Sequence, residues 1–295
     1  MDQNLAIKFC GKPVSEHDLD LIVSLIKEFP GIPRKELAAT ACELLDWQRP
    51  NGKLKTSECT RLLESLEERG LFVLPKKRKP GRGKIKPIAR TVAGRERSPI
   101  AGKLSQLGGV TLEPVTNGDQ RALFRELVDR YHYLGYSNPF GARLRYLIKS
   151  GREEILGCLQ FTSPAWKVSA RDRWIGWTTA RREANLQQVV QNSRFLILPW
   201  VKVSHLASHV LGQAARRLPS DWWRMYGIRP MLLETFVEER FAATSYRAAN
   251  WLELGKTRGR GRMDKDHREV KAIKTVWVLP LHRRARIRLR GADIG

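Results

Sequence analysis

Acidic side chains that could catalyse cleavage or transfer of a phosphodiester bond stand in the C-terminal half of the sequence. Glu234 lies within an apolar run at residues 230–237, where a carboxylate is buried unless it is paired or functional. It could bind Mg²⁺ or Mn²⁺ or act as a general base, or it could form a buried ion pair with an arginine. Asp172 and Asp264 could complete a metal-binding set with Glu234, although their basic neighbours also favour surface ion pairs.

An imidazole and a phenol could take part in the same chemistry. His132 stands among Tyr131, Tyr133 and Tyr136. Because the ordinary pKa of histidine lies near neutral pH, His132 could orient or deprotonate a nucleophile, or it could be a hydrogen-bonded core residue. Tyr246 could form a phosphotyrosine link during strand transfer, or it could pack the start of a short helix.

The net charge indicates the partner. The chain has 54 Lys and Arg against 30 Asp and Glu, a formal net charge of +24 that favours a polyanion, above all nucleic acid. Residues 1–75 hold 10 basic and 12 acidic side chains, a net charge of −2, and residues 76–295 hold 44 and 18, a net charge of +26. The second part of the chain therefore carries the predicted contacts with DNA phosphates.

Residues 76–97 contain ten Lys and Arg, one Glu and few large apolar side chains, which predicts a linker. Arginines flanked by glycine suit a narrow minor groove, and a solvated tether that raises non-specific affinity is the alternative. The candidate DNA contacts in this segment are Lys76, Lys77, Arg78, Lys79, Arg82 and Lys84.

Three further places could contact DNA. The start of the third predicted helix contributes Lys55, Ser57 and Arg61. Tryptophans beside an arginine could stack on unpaired bases or pack in the core, and these residues are Trp222, Trp223 and Arg224. A short run dense in guanidinium groups suits phosphate binding, through Arg258, Arg260 and Arg262.

Several classes of protein are disfavoured. The four cysteines are scattered and form no CxxC pair, so neither a zinc ribbon nor a disulfide framework is expected. The sequence shows no signal peptide and no run of 18 apolar residues. We expect a cytoplasmic, nucleoid-associated bacterial protein without membrane contact.

The elements that must position these residues fall into two predicted domains. Apolar residues at helical spacing predict three helices within residues 1–75, followed by a strand at 71–75, a pattern typical of a winged-helix or helix-turn-helix module. Its third helix carries four glutamates, so docking to a protein is an alternative to DNA contact. Residues 76–117 are predicted as a basic linker, and residues 118–295 as a mixed α/β domain.

Six short motifs in the second domain resemble the DruA family of the Druantia anti-phage system, which has relatives linked to transposable elements. They occupy residues 131–136, 163–166, 173–177, 192–199, 232–236 and 246–251. The resemblance covers most of residues 118–281 and implies a bacterial protein that acts on phage or mobile DNA. Proteins of defence or transposition are the implied partners, with a homo-oligomer on DNA as a further expectation.

The predicted order of helix, β-hairpin, strand, helix, strand, short helix and strand is also similar to the acetyltransferase fold called GNAT. That resemblance implies an acyl-CoA pyrophosphate held by a glycine-rich turn at the start of the helix after the fourth strand. The matching segment, residues 203–212, lacks paired glycines at the turn. Acetyl-CoA is therefore not expected as a cofactor.

Three hypotheses of function follow. The leading one is a DNA-binding protein that processes phage or mobile-element DNA, by strand cleavage or transfer that depends on a metal ion or a tyrosine. The second is a non-catalytic DNA-binding subunit that recruits a partner enzyme. The third is an acyltransferase of the GNAT type.

Overall fold

A computed structural model describes residues 7–29, 31–49, 54–76, 87–139, 141–257 and 273–291. The chain divides into two compact units, Met1–Lys86 and Pro87–Gly295. In the described part of the chain, no helix combines the length and the apolar character that crossing a bilayer requires.

The first unit consists of a small β-hairpin followed by three helices. Its elements are β1 (Lys8–Phe9), β2 (Lys12–Pro13), α1 (Glu16–Glu28), α2 (Arg34–Leu44) and α3 (Thr56–Glu68). Ser15 and Asp18 cap α1 reciprocally, each side chain accepting a hydrogen bond from the backbone N–H of the other. Each helix buries one apolar face, with side chains that include Leu21, Ile22, Leu25, Leu37, Ala41, Leu63 and Leu66. The three predicted helices are confirmed.

The strand predicted at residues 71–75 does not form. Glu67 of α3 accepts a hydrogen bond from the Leu74 N–H at 2.7 Å. Arg34 of α2 donates to the Pro75 carbonyl at 2.8 Å, and Pro75 itself has no N–H for a β-ladder. Side chains thus hold this segment in place of a strand partner, and the winged-helix prediction is not confirmed.

The second unit is built on a seven-stranded mixed sheet. In chain order its strands are β4 (Val110–Pro114), β5 (Arg143–Ser150), β6 (Ile155–Thr162), β7 (Val189–Ile197), β9 (Leu232–Glu238), β10 (Leu252–Lys256) and β11 (Lys274–Pro280). They lie in the order β4–β5–β6–β7–β9–β11–β10. Only β7 and β9 are parallel, and all other neighbours in the sheet are antiparallel. A separate parallel pair joins β3 (Ile100–Gly102) to β8 (Val201–Val203).

Helices connect the strands of this sheet. They are α4 (Gly118–Tyr131), α5 (Ser169–Ile175), α6 (Thr179–Asn185), α7 (Leu206–Tyr226), α8 (Thr244–Ala248) and α9 (Ala285–Arg290). The long helix α7 lies in the connection between the parallel strands β7 and β9, which cannot be joined by a tight hairpin. The predicted mixed α/β class is confirmed, and the order of elements agrees with the expected GNAT-like arrangement.

The second unit begins at Pro87, earlier than the predicted start at residue 118. β4 is an edge strand of the sheet and buries two side chains, Val110 and Leu112, on its inner face. So short an alternation is a weak strand signal beside the basic and glycine-rich sequence that precedes it. For this reason residues 87–117 read as a linker in the sequence.

Glu126 of α4 holds the start of the second unit. Its buried carboxylate accepts hydrogen bonds from the Thr91 N–H and hydroxyl, both at 2.7 Å, and from Arg130 at 2.9 Å. Burial acts to raise the pKa of Glu126, but the hydrogen bonds from Thr91 and Arg130 outweigh it and lower the pKa below its usual value. The ionised carboxylate thus anchors residues 91–94 to α4.

Replacing Glu126 with Gln is expected to lower the free energy of unfolding by about 2 kcal/mol, because charge-assisted hydrogen bonds are lost in a buried position. Urea denaturation measures the change. Since the folded-state pKa is depressed, the contribution of Glu126 is present above the ordinary glutamate pKa and disappears as pH falls through the folded value. Asp129→Asn, which breaks a more exposed pair with Arg90, is the control and should cost under about 1 kcal/mol. Equal losses in the two variants would contradict the anchor.

Candidate functional site

Exposed arginines cover one surface of the second unit, which is formed by α5, α6 and α9. α9 packs on α5, where the Arg286 guanidinium lies 5.6 Å from the centre of the Trp174 ring. α9 also packs on α6, where Asn185 donates a hydrogen bond to the Leu289 carbonyl at 3.0 Å. We call this the arginine surface, and its exposed members are Arg173, Arg181, Arg283, Arg284, Arg286, Arg288 and Arg290.

The arginine surface has excess positive charge. Among the described residues, none of its seven guanidinium groups forms an ion pair with a carboxylate. The carboxylate of Asp172 in α5 instead pairs with two other arginines, Arg171 at 2.9 Å and Arg182 at 3.9 Å. Like charges held together by a folded framework repel one another, and a bound polyanion relieves that repulsion.

Sequence reasoning counted the charge of this region but did not single out α9. Ala285 and Leu289 are four residues apart and fully buried, and they turn the intervening arginines outward. This i, i+4 apolar pair in an otherwise basic run at residues 283–290 is the signal that could have identified the helix.

Glu234 is fully buried in β9 and pairs with Arg171, which is also fully buried. One carboxylate oxygen lies 2.9 Å from the Arg171 guanidinium, and the other accepts a hydrogen bond from the Ala165 N–H at 3.0 Å. Burial raises the pKa of Glu234, and the adjacent Arg171 opposes the rise. Of the two readings that the sequence left open, the geometry observed is the buried ion pair.

Asp172 lies on the other side of the Arg171 guanidinium, which donates to its carboxylate at 2.9 Å. The same carboxylate accepts hydrogen bonds from the Val168 N–H at 3.0 Å and the Trp177 indole at 3.2 Å. The structure therefore brings Glu234 and Asp172 together across one arginine. Within the described residues, no three His, Cys, Asp or Glu side chains form a group that could hold a metal ion. The catalytic and metal-binding roles of Glu234 and Asp172 stay predictions.

Tyr246 of α8 is buried between the separating ends of β7 and β9. Its hydroxyl donates a hydrogen bond to the Asn192 side-chain carbonyl at 2.6 Å. The Asn192 amide in turn donates to the Gln160 and Arg194 carbonyls, both at 3.1 Å. Burial raises the pKa of the Tyr246 phenol. A nucleophilic role for Tyr246 stays a prediction, and it would require the hydroxyl to leave this network.

His132 is half-buried at the end of α4, with its ring stacked on Tyr133 at a centroid distance of 4.8 Å. Its Nδ1 accepts a hydrogen bond from the Leu134 N–H at 3.1 Å. Burial lowers the pKa of His132 to about 4, and the nearby charges of Arg194 and Lys274 act in the same direction. The imidazole is therefore neutral at pH 7 and a weak base.

NMR titration of the His132 ring should show no protonation between about pH 8 and about pH 5.5, well above its folded pKa. The depressed pKa also predicts that stability is lost as pH falls from the ordinary histidine value of about 6.5 toward 4, because the unfolded chain takes up the proton first. His132→Gln should remove that part of the pH dependence. A ring that titrates near pH 6.5 would contradict this description and restore His132 as a candidate base.

The predicted stacking pair is divided by the structure. Trp222 is 2% exposed and contacts Tyr226 at a centroid distance of 4.9 Å, so its indole belongs to the core and cannot stack on a base. The spacing of four from the buried Leu218 places it on the inner face of α7. Trp223, which is 51% exposed, and the exposed Arg224 remain accessible.

The other predicted DNA contacts have different standings. In the first unit Ser57 and Arg61 are exposed on α3, and Lys55 is half-buried with its ammonium 5.7 Å from the centre of the Phe9 ring. Lys76 is exposed. The remainder lie outside the described residues, and their roles stay predictions; they are Lys77, Arg78, Lys79, Arg82, Lys84, Arg258, Arg260, Arg262 and the proposed metal ligand Asp264.

Solved structures similar to this chain include spermidine N-acetyltransferases from Vibrio cholerae. The complex with CoA and spermine is 10% identical, covers 58% of this chain and 95% of its own, and has a TM-score of 0.37. A chimera of the Vibrio cholerae enzyme is 11% identical over 58% and 95% of the two chains, with a TM-score of 0.38. A complex of the spermidine/spermine N-acetyltransferase with manganese ions is 9% identical over 60% and 95%, with a TM-score of 0.36. No curated protein sequence matches the chain.

One protein family matches most of the sequence. The match extends over residues 72–278 and includes all six motifs that carried the resemblance noted in the sequence. The same residues contain the whole seven-stranded sheet except the last two residues of β11. The chain belongs to the family of the Druantia protein DruA.

Proposed function

We propose that this chain is the DNA-binding subunit of a bacterial anti-phage defence system and brings phage or mobile DNA to a partner protein. The arginine surface carries the proposal, because it presents seven exposed guanidinium groups without carboxylate partners among the described residues. Membership of the DruA family supports the setting in defence.

The arrangement of the arginines favours a phosphate backbone as the ligand. Arg284, Arg286, Arg288 and Arg290 alternate along α9 and form two rows at i, i+4 spacing. A guanidinium can bind a phosphate through two parallel hydrogen bonds, which makes arginine better suited to this task than a mobile lysine. Because α9 is anchored by its buried residues, the guanidinium groups stand on a fixed support.

The contacts of the candidate catalytic side chains favour recruitment over strand cleavage. Glu234 has both oxygens in contact with Arg171 and the Ala165 N–H, and Tyr246 is hydrogen-bonded beneath the surface. Each would have to exchange its partners before it could touch a phosphodiester. Binding DNA through the arginine surface requires no such exchange.

The proposal is tested by fluorescence anisotropy with a labelled duplex at several salt concentrations. Affinity should fall steeply with salt, because each neutralised phosphate contributes about 0.9 to the slope of log K against log salt. Absence of binding to duplex and single-stranded DNA at about 50 mM salt would overturn the proposal.

Strand processing is tested in parallel by incubation of labelled DNA with Mg²⁺ or Mn²⁺. A cleavage product or covalent adduct that disappears in Glu234→Gln or Tyr246→Phe would replace recruitment by catalysis. Calorimetry with acetyl-CoA tests the acyltransferase alternative, in which case heat of binding would be observed.

A further inference from the structure

Three flat side chains form an exposed cluster on the second unit, which we call the aromatic patch; its members are Tyr133, Arg240 and Phe241. The two rings contact each other at a centroid distance of 4.9 Å. The Arg240 guanidinium lies 4.9 Å from the centre of each ring. Tyr133 is 44% exposed, Phe241 is 43% exposed, and the Arg240 side chain is 61% exposed.

Core packing does not account for these exposed rings, since both lie outside the buried cluster that the described residues of this unit form. They come from separate parts of the chain, the loop after α4 and the turn after β9, and meet only in the folded protein. An exposed apolar cluster of this kind is unfavourable in water and is usually retained for contact with a ligand or partner.

The position of the patch also fits a binding site. β7 and β9 pair only through Val189 to Gln191 and Leu232 to Glu234, and separate beyond that point. Arg194 of β7 donates to the Gly135 carbonyl at 3.1 Å and so holds the loop that carries Tyr133. The patch therefore lies toward the carboxyl ends of the two parallel strands, where α/β sheets commonly bind ligands.

The charges around the patch suit an anionic ligand. Glu238 is already paired with Arg240 at 3.0 Å and with Lys274 at 3.8 Å. Glu239 pairs with Lys256 at 2.6 Å. Since cations accompany both carboxylates, the patch offers aromatic faces and a guanidinium plane without an uncompensated negative charge among its described neighbours.

We infer that the aromatic patch binds an unpaired base of single-stranded DNA, an inference that rests on the proposed DNA-binding function. Bases stack on aromatic rings and on the guanidinium plane of arginine, whereas a paired base inside a duplex exposes neither face. Aromatic and arginine side chains also occur at protein interfaces, but the strong positive charge of residues 76–295 favours DNA. The patch thus gives the protein a preference for unpaired over duplex DNA that phosphate contacts alone do not provide.

The experiment uses the full chain, an oligothymidine of about 20 nucleotides and a duplex of equal length. Tyr133→Ala/Phe241→Ala should lower affinity for the single strand about tenfold or more and leave duplex affinity within about twofold. A 2-aminopurine placed in the single strand should be quenched on binding to the wild type and not to the double variant. Leu252→Ala removes an equally exposed apolar side chain from the edge strand and should change nothing. Circular dichroism and thermal melting confirm that each variant is folded.

The outcomes separate this inference from the proposed function. If the wild type binds neither form of DNA, the proposed function fails. If the wild type binds DNA and the double variant retains its affinity for the single strand, the inference is overturned and a protein becomes the better occupant of the patch. Equal loss of single-strand and duplex binding also overturns it, because base stacking predicts a selective loss. A selective loss in Trp223→Ala instead would place the stacking site on α7.

Discussion

Glutamine in place of Arg181, Arg284 and Arg288 together weakens duplex binding by about one to two orders of magnitude at ~0.1 M salt. These three exposed side chains lie on α6 and at α9, and none has a carboxylate partner among the described residues. Each lost phosphate contact leaves one set of counterions on the DNA, so the slope of log K against log salt should become shallower by up to about 2.7 for three contacts. Anisotropy titrations between about 50 and 200 mM salt measure both quantities.

A matched change of charge elsewhere is the control for this prediction. Arg121, Arg125 and Arg152 are also exposed, and the first two donate hydrogen bonds to backbone carbonyls at the start of α4 and in the loop before it. Their triple glutamine variant removes the same net charge but should retain most of the affinity and nearly the full salt slope. Equal losses in the two triple variants would show that overall charge, and not the arginine surface, binds the DNA.

Arg171→Met is expected to lower the free energy of unfolding by about 3–5 kcal/mol, because it leaves the fully buried Glu234 carboxylate without its cation. For a chain of this size the melting temperature should fall by roughly 10 °C, measured by calorimetry. Arg152→Met makes the same chemical change at an exposed position and should cost less than about 0.5 kcal/mol. A melting temperature unchanged in Arg171→Met would show that the pair does not stabilise the fold.

The pH dependence of Arg171→Met gives an independent test. Burial already raises the pKa of Glu234, and removal of Arg171 takes away the charge that opposes the rise. A raised folded-state pKa means that protonation favours the folded protein, so the deficit of the variant should shrink as pH falls from about 8 toward about 5. The double variant Arg171→Met/Glu234→Leu, which removes both charges, should recover part of the loss and lack this pH dependence.

Local patterns in the sequence were sufficient for the elements and for part of the site. Apolar spacing predicted the three helices of the first unit and the succession of strands and helices in the second, because burial of one face depends on a short repeat. The position of Glu234 within an apolar run indicated a buried carboxylate. The excess of Lys and Arg beyond residue 75 indicated which part of the chain would carry the positive surface.

The tertiary structure alone decided which of these residues meet. Arg171 and Glu234 are 63 positions apart, and only the packing of α5 against the sheet selects this arginine from the 54 basic residues of the chain. Tyr133 and Phe241 are more distant still, and their contact depends on two loops at the ends of strands that are not consecutive. Periodicity records which side of an element is buried, whereas the partner across the fold depends on distances that no local pattern contains.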